Sequence, residues 1–298
     1  LFVGCGKQQI NSRPIFRARG VLLEELPQPG GIQKTFDDPQ IRDLVWNRFE
    51  TDNFVILSLD ESQGMYLYEN IEKMKNWSLT RWGLPNVPFS AECRVLCVPE
   101  RDLMKKLFRL DRSHAEVRRN DGEIELNVLW LVLDAPPAEI IPSALTVACV
   151  AEYEQNTGRK ISFWAERGMS ILNSNLPCIR ESLTALEKPL SADKKMHFAN
   201  NLFVTTEKDY KDKSPEQQLL FDREALAVCL LLRKEYGQDN FLAFIHSEGT
   251  KKDSQQVLGI NGFEQFNSIL KRYMVCLTGD VVKGLTPDTY LQIEAKGG

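Results

Sequence analysis

The chain has little of what most active sites are built from. Only three histidines occur, His114, His197 and His246, all far apart, so no helical pair of imidazoles is present to grip a metal ion. The seven cysteines include no Cys-x-x-Cys spacing, which removes the usual structural zinc and thioredoxin-like arrangements, and they are too few for a disulfide-dependent scaffold. There is no Gly-x-Ser-x-Gly elbow and no glycine-rich phosphate loop, since Gly30-Gly31 stands alone in a Pro/Gly stretch. No apolar run approaches the roughly 18 residues of a membrane-spanning helix. Neither charge dominates: 37 Lys and Arg against 41 Asp and Glu give a net charge of -4. A mildly acidic chain has no general pull toward nucleic acid or anionic lipid.

What remains is an ordinary globular composition, 43% hydrophobic and 26% charged over 298 residues, enough for one large domain or two closely packed ones. Asp37 to Arg48 is expected to form a short helix. Residues 53–59 read as a strand, 61–82 as a helix stopped by Gly83-Leu-Pro85, 91–98 as a second strand, 100–110 as a helix and 123–134 as a further strand. Together these make an α/β layer over residues 36–135. Beyond Pro136 the pattern turns helical. Residues 138–153 are apolar on nearly every face, as in a buried helix. Helices follow over 163–172, from the Ser214-Pro215 cap to Tyr236 with Gly237 as its stop, and over 239–247, 260–273 and 287–293. Residues 190–213 carry few signals.

Isolated residues give weak leads. Asp111 and His114 stand at helical spacing, which fits a surface pair or cap. His197 and His246 lie beside apolar residues and read as satisfied structural histidines. Cys93 and Cys97 fall on one side of a strand, and Cys149 and Cys229 read as buried free thiols. Trp77 and Trp82 flank Arg81, which fits either an exposed aromatic patch or the helix core.

The first residues, Leu-Phe-Val-Gly-Cys, resemble the end of a bacterial lipoprotein signal, in which a small residue precedes the cysteine that receives lipid. This resemblance implies lipidation at Cys5, a polar tether within residues 1–35, and a place in the bacterial cell envelope, facing the periplasm or the outside.

The order of segments between about residues 50 and 275 resembles the peptidase-MA-like branch of the gluzincin metallopeptidases. The likeness rests on the strand, long helix and Gly-Leu-Pro turn of residues 54–85, on AECRVLCVPERDLMKKLF, on IIPSALTVACVAEY, on FWAERGMSIL, and on FDREALAVCLLLRKEYGQDNFLAFI with GINGFEQFNSILKRYM. The fold it implies is α+β, a small α/β layer with a mostly helical gluzincin-like C-terminal half from residue 136 to 298. Active members carry His-Glu-x-x-His on one helix, because positions four apart share a face and bind one zinc while the glutamate activates its water. A glutamate on the next helix completes the ligand set.

Laid on this chain, the resemblance puts Ser143 at the first histidine, Ala144 at the base, Val147 at the second histidine and Arg167 at the third ligand. Glu166 stands one position off, and Glu152, Trp164 and Glu166 are expected to border the cleft. Alanine and valine offer no donor, serine is a poor neutral ligand, and arginine repels a cation. Arg167 either fills the former cation position and pairs with a carboxylate such as Glu152 or Glu154, or lies solvated on the helix surface. The expectation is therefore a non-catalytic, peptidase-like envelope lipoprotein with no metal or other cofactor. It would act as a binding or assembly subunit with protein partners, a lipid anchor through Cys5 and no nucleic acid. The alternatives are an active hydrolase with rearranged catalytic or metal-binding residues and a peptide- or glycan-binding protein without turnover.

Overall fold

The structure, a computed structural model, describes residues 26–31, 41, 44–134, 137–174, 176–186, 199–247 and 249–282. Cys5, His197 and the helix expected over 287–293 lie outside the described residues. Five strands form one mixed sheet: β1 (Asn47–Glu50), β2 (Phe54–Ser58), β3 (Cys93–Val98), β4 (His114–Asn120) and β5 (Glu123–Val132), in the order β1-β2-β3-β5-β4. The central pairs β2/β3 and β3/β5 are parallel, and the two edge pairs are antiparallel. Strands joined in parallel need a crossover. Here the long helix α1 (Glu61–Thr80) makes the first and α2 (Arg101–Phe108) the second.

Side-chain alternation sorts the sheet into two faces. Phe54, Ile56, Cys93, Val95, Cys97, Leu129 and Leu131 belong to the larger core, shared with α1 and the helices that follow. Leu57, Leu96, Val98, Val128, Trp130 and Val132 belong to a smaller one, closed by Met104, Leu107 and Phe108 of α2. Cys93 and Cys97 thus share a face, and both are buried free thiols, as are Cys149 and Cys229.

The helical part comprises α3 (Pro137–Thr157), α4 (Phe163–Leu172), α5 (Leu176–Thr184), α6 (Ala199–Val204), α7 (Glu207–Lys211), α8 (Pro215–Leu231), α9 (Gly237–Ile245), α10 (Lys251–Leu258) and α11 (Phe263–Val282). The fold is α+β. Ser214 caps α8 in a capping box with Gln217, and Pro215 opens it. The helix then passes into a π-helical turn over Leu232–Tyr236 and breaks at Gly237, whose φ is 80°. The change at residue 136 is one of secondary structure, not of packing. The larger core runs unbroken from Phe49 to Met274.

Three expectations change. No helix covers residues 44–48: residues 44–46 are coil and Asn47–Glu50 is an edge strand. His114 opens strand β4 and stacks on Trp130 with centroids 5.8 Å apart, so Asp111 and His114 share no helix. Residues 26–31, inside the expected tether, are docked. Leu26 enters the smaller core, the Pro27 carbonyl accepts from Trp130 Nε1 at 3.1 Å, and Gly30 N donates to Glu116 at 2.9 Å.

Candidate functional site

Helix α3 is apolar enough to be buried on all sides, and from Ile141 to Tyr153 it is, with three exceptions. Only Ser143, Ala144 and Val147 remain partly open. Positions i, i+1 and i+4 form one patch on a helix, so the sole accessible face of this segment carries the three residues singled out in the sequence.

Helix α4 lies beside that face. Ser170 donates its single hydroxyl proton to the Ser143 carbonyl at 3.0 Å, and the two hydroxyls are 3.0 Å apart. Ser143 must therefore donate to Ser170. One turn on, Asn173 donates to Thr146 Oγ1 at 2.7 Å and accepts from Trp82 Nε1 at 3.1 Å. This ladder of small polar groups fixes α4 against α3. The hydroxyl proton of Ser143 is committed to Ser170, and no imidazole or carboxylate among the described residues is bonded to it, so none of them stands ready as its base.

Arg167 is neither solvated nor paired with Glu152 or Glu154. Its Nε and Nη2 reach the two oxygens of Asp222 on α8 at 2.9 and 2.7 Å, and Nη2 also meets the hydroxyl of Tyr210 on α7 at 3.1 Å. That hydroxyl in turn donates to Asp222 at 2.9 Å. Burial would lower the pKa of the guanidinium, but the hydrogen bonds and charge of Asp222 outweigh it, and the net shift is upward. Tyr210 is held protonated, pushed up to about 12 chiefly by burial. The forked pair, itself a bidentate charge-assisted bond, ties α4, α7 and α8 together.

Glu152 and Trp164 stand in the interior instead of bordering the cleft. Glu152 is 0% exposed. Its Oε2 accepts from the backbone and hydroxyl of Ser90, both at 2.7 Å, and its Oε1 from Asn127 of β5 at 2.6 Å. A carboxylate with this many donors is a buttress between helix and sheet. Trp164 packs into an aromatic cluster with Phe203 and Phe244, at 5.2 and 6.0 Å. Glu154 accepts from the Ile161 backbone at 2.7 Å. His246 is satisfied at both nitrogens, by Tyr153 at 3.2 Å and the Lys160 carbonyl at 2.9 Å.

Glu166 does face the partly open side of α4. Its carboxyl is pushed up from 4.5 to about 7, mainly by burial, opposed by Arg167 and reinforced by Glu154 and Glu207. The folded chain therefore keeps a proton between those two values that the unfolded chain has released, and stability falls as pH rises through that window. The full shift corresponds to on the order of 3 kcal/mol, and partial solvent access reduces it. Glu166→Gln is expected to stabilise the chain by about 1–2 kcal/mol near pH 8 and to be neutral near pH 4. Urea unfolding at both pH values measures this, and a gain at low pH alone would contradict it.

A zinc ion does not fit these residues. Ser143 is a weak neutral donor, Ala144 and Val147 have none, and Arg167, which the resemblance sets at the third ligand, is a guanidinium held by Asp222. Among the described residues, no group of three or more His, Cys, Asp or Glu side chains converges to hold a metal. No protein-family model, no curated protein and no solved structure matches the chain.

Asp222 and Tyr210 were not singled out in the sequence. Asp222 left a signal, since it shares a helical face with the buried Ala225, Leu226 and Cys229, where an acid needs a partner. Tyr210 lies in a polar stretch that gives none.

Proposed function

We propose that the chain is a non-catalytic, peptidase-like subunit that binds or assembles with protein partners in the bacterial cell envelope, anchored by lipid at Cys5. The observation that carries this reading is the anchoring of Arg167, which the peptidase likeness sets at the third zinc ligand, by Asp222 and Tyr210. The partly open stripe Ser143, Ala144 and Val147 supports it further: it offers hydroxyl and apolar surface and no metal-ligating group. Such a face suits binding without turnover.

Elemental analysis of natively purified, folded protein is expected to find zinc far below one per chain. Stoichiometric zinc lost on Glu166→Ala would overturn the reading. A complementary variant tests the family assignment itself. Ser143→His with Val147→His restores two imidazoles four residues apart, and with Arg167→Glu a third ligand. If these positions are the degenerate ligand set, the triple variant is expected to gain zinc affinity by about a hundredfold or more. A folded triple variant with no gain would count against the likeness.

A hydrolase reading has one observation in its favour. The Glu166 carboxyl, near 7, lies in the range useful to a general acid or base. It predicts peptide turnover abolished by Glu166→Ala; absence of turnover in the parent chain removes it.

A further inference from the structure

The sheet has two edges, and the longer one is open. Strand β4 spans seven residues against four in β1, and its one neighbour in the sheet is β5. The register decides which of its backbone groups are spare. Asn127 N donates to the Glu92 carbonyl at 3.1 Å and Leu133 N to the Val98 carbonyl at 3.0 Å. Every second residue of β5 from Asn127 onward therefore turns its peptide groups toward β3. Val117 and Ala115 stand opposite two of these, Asn127 and Leu129. They form non-hydrogen-bonded pairs with β5, so their own N–H and C=O groups point away from the sheet. Alternation along the strand adds Arg119 to this outward row. No described residue hydrogen-bonds to these groups.

Sheet edges are commonly closed to further pairing by a bulge, by repelling charge or by a covering element. Here the bulge falls on β5. Arg118 and Arg119 stand opposite Leu126 and Ile124, which leaves Glu125 without a partner, while β4 runs on unbroken. The charges on β4 are of both signs. Glu116 and Arg118 lie two apart and so share a face of the strand, and they pair with each other at 3.0 Å, each 24% exposed. Both are steadied by the docked segment: Gly30 N donates to Glu116 at 2.9 Å, and Arg118 donates to the Gln28 carbonyl.

We propose that β4 is the contact between two copies of this chain, joined edge to edge in antiparallel register about Val117. A two-fold axis there sets Val117 opposite itself and Ala115 opposite the partner's Arg119, so outward groups meet outward groups as hydrogen-bonded pairs. The same axis sets Glu116 opposite the partner's Arg118, and the reverse. These are the non-hydrogen-bonded positions, where facing side chains come closest. A slip of two residues in one direction brings Glu116 against Glu116, and in the other Arg118 against Arg118. Charge thus selects this one register. The strand is complementary to itself, which is what favours a second copy over an unrelated chain. The contact is independent of the degenerate zinc positions and stands whether or not the peptidase likeness does.

One strand pair is a small contact, so the dimer is expected to be weak and reversible. Sedimentation equilibrium of the full chain, up to about 1 mM, tests it. Glu116→Arg and Arg118→Glu each set like charges opposite one another at both positions across the axis. Each is expected to weaken the dimer about tenfold or more. An equimolar mixture of the two variants sets opposite charges across the axis again, and association is expected to return close to that of the parent. Any disturbance of residues 28–30 persists in the mixture, so recovery reports pairing and not folding. Val117→Pro removes an outward N–H that β5 does not use and is expected to weaken the dimer without touching the charges. Melting temperatures in parallel identify the variants that fold. A parent that stays monomeric overturns the proposal and leaves the edge to another protein. So does a dimer that the folded variants form undiminished, or a mixture that associates no better than its components.

Discussion

Glu152→Ala is expected to destabilise the chain by about 2–3 kcal/mol, a sizeable part of the 5–15 kcal/mol that typically separates folded from unfolded states. The carboxylate is fully buried and receives Ser90 N, Ser90 Oγ and Asn127 Nδ2 at 2.6–2.7 Å. Truncation removes the acceptor and strands the buried Asn127 amide against the sheet, whereas Ser90 is exposed and can turn to water; an unsatisfied buried donor costs more than its bond had contributed. Glu152→Gln should fall between parent and alanine variant. Donors face both carboxylate oxygens, so whichever way the amide turns, its NH2 meets another donor. Urea unfolding with an unchanged m-value measures the loss. A loss under about 1 kcal/mol for the alanine variant would show that Glu152 is not the buttress described. The consequence reaches the candidate site, because Glu152 anchors the helix whose one open face carries Ser143, Ala144 and Val147.

The parts of this fold that the sequence made legible are those governed by local physics. β2, β3 and β5 are continuous or alternating apolar runs, and α8 opens with a capping box and a first-turn proline. The edge strands were hidden for the opposite reason. β4, HAEVRRN, is polar and half-open, and its pairing is decided by β5 across the sheet. β1 is four residues long and offers no periodicity. The short helices α6 and α7 lie in polar sequence and are held by tertiary contacts such as Trp164 with Phe203 and Arg167 with Tyr210. The candidate site divides in the same way. That residues 143, 144, 147 and 167 offer no good metal ligand could be read from residue types, whereas the partner of Arg167 lies 55 residues away, a separation no local pattern reports. Charge alone suggested Glu152 or Glu154, yet both are taken by donors nearer to them.

Gly168→Val is expected to cost more than about 3 kcal/mol and to loosen the site together with the fold. Gly168 follows Arg167 on α4 at its contact with α8. A Cβ there would stand 2.6 Å from the Ala225 carbonyl oxygen and 2.6 Å from Cys229 Sγ, distances that force one helix to move. Even Gly168→Ala carries this conflict, and valine adds two methyl groups to it. Cys229→Ala would relieve only the sulfur contact, since the Ala225 carbonyl belongs to the backbone of α8. Partial rescue is therefore expected in the double variant, and full rescue would show that the side chain alone sets the spacing. Separation of α4 from α8 also pulls Arg167 from Asp222, whose bonds of 2.7–2.9 Å tolerate little displacement. In thermal melts, Arg167→Gln should accordingly cost less stability in the Gly168→Ala background than in the parent, because the pair it removes is already parted. If the two losses add in full, helix separation leaves the ion pair intact, and the arginine is held by Tyr210 and Asp222 more loosely than the distances imply.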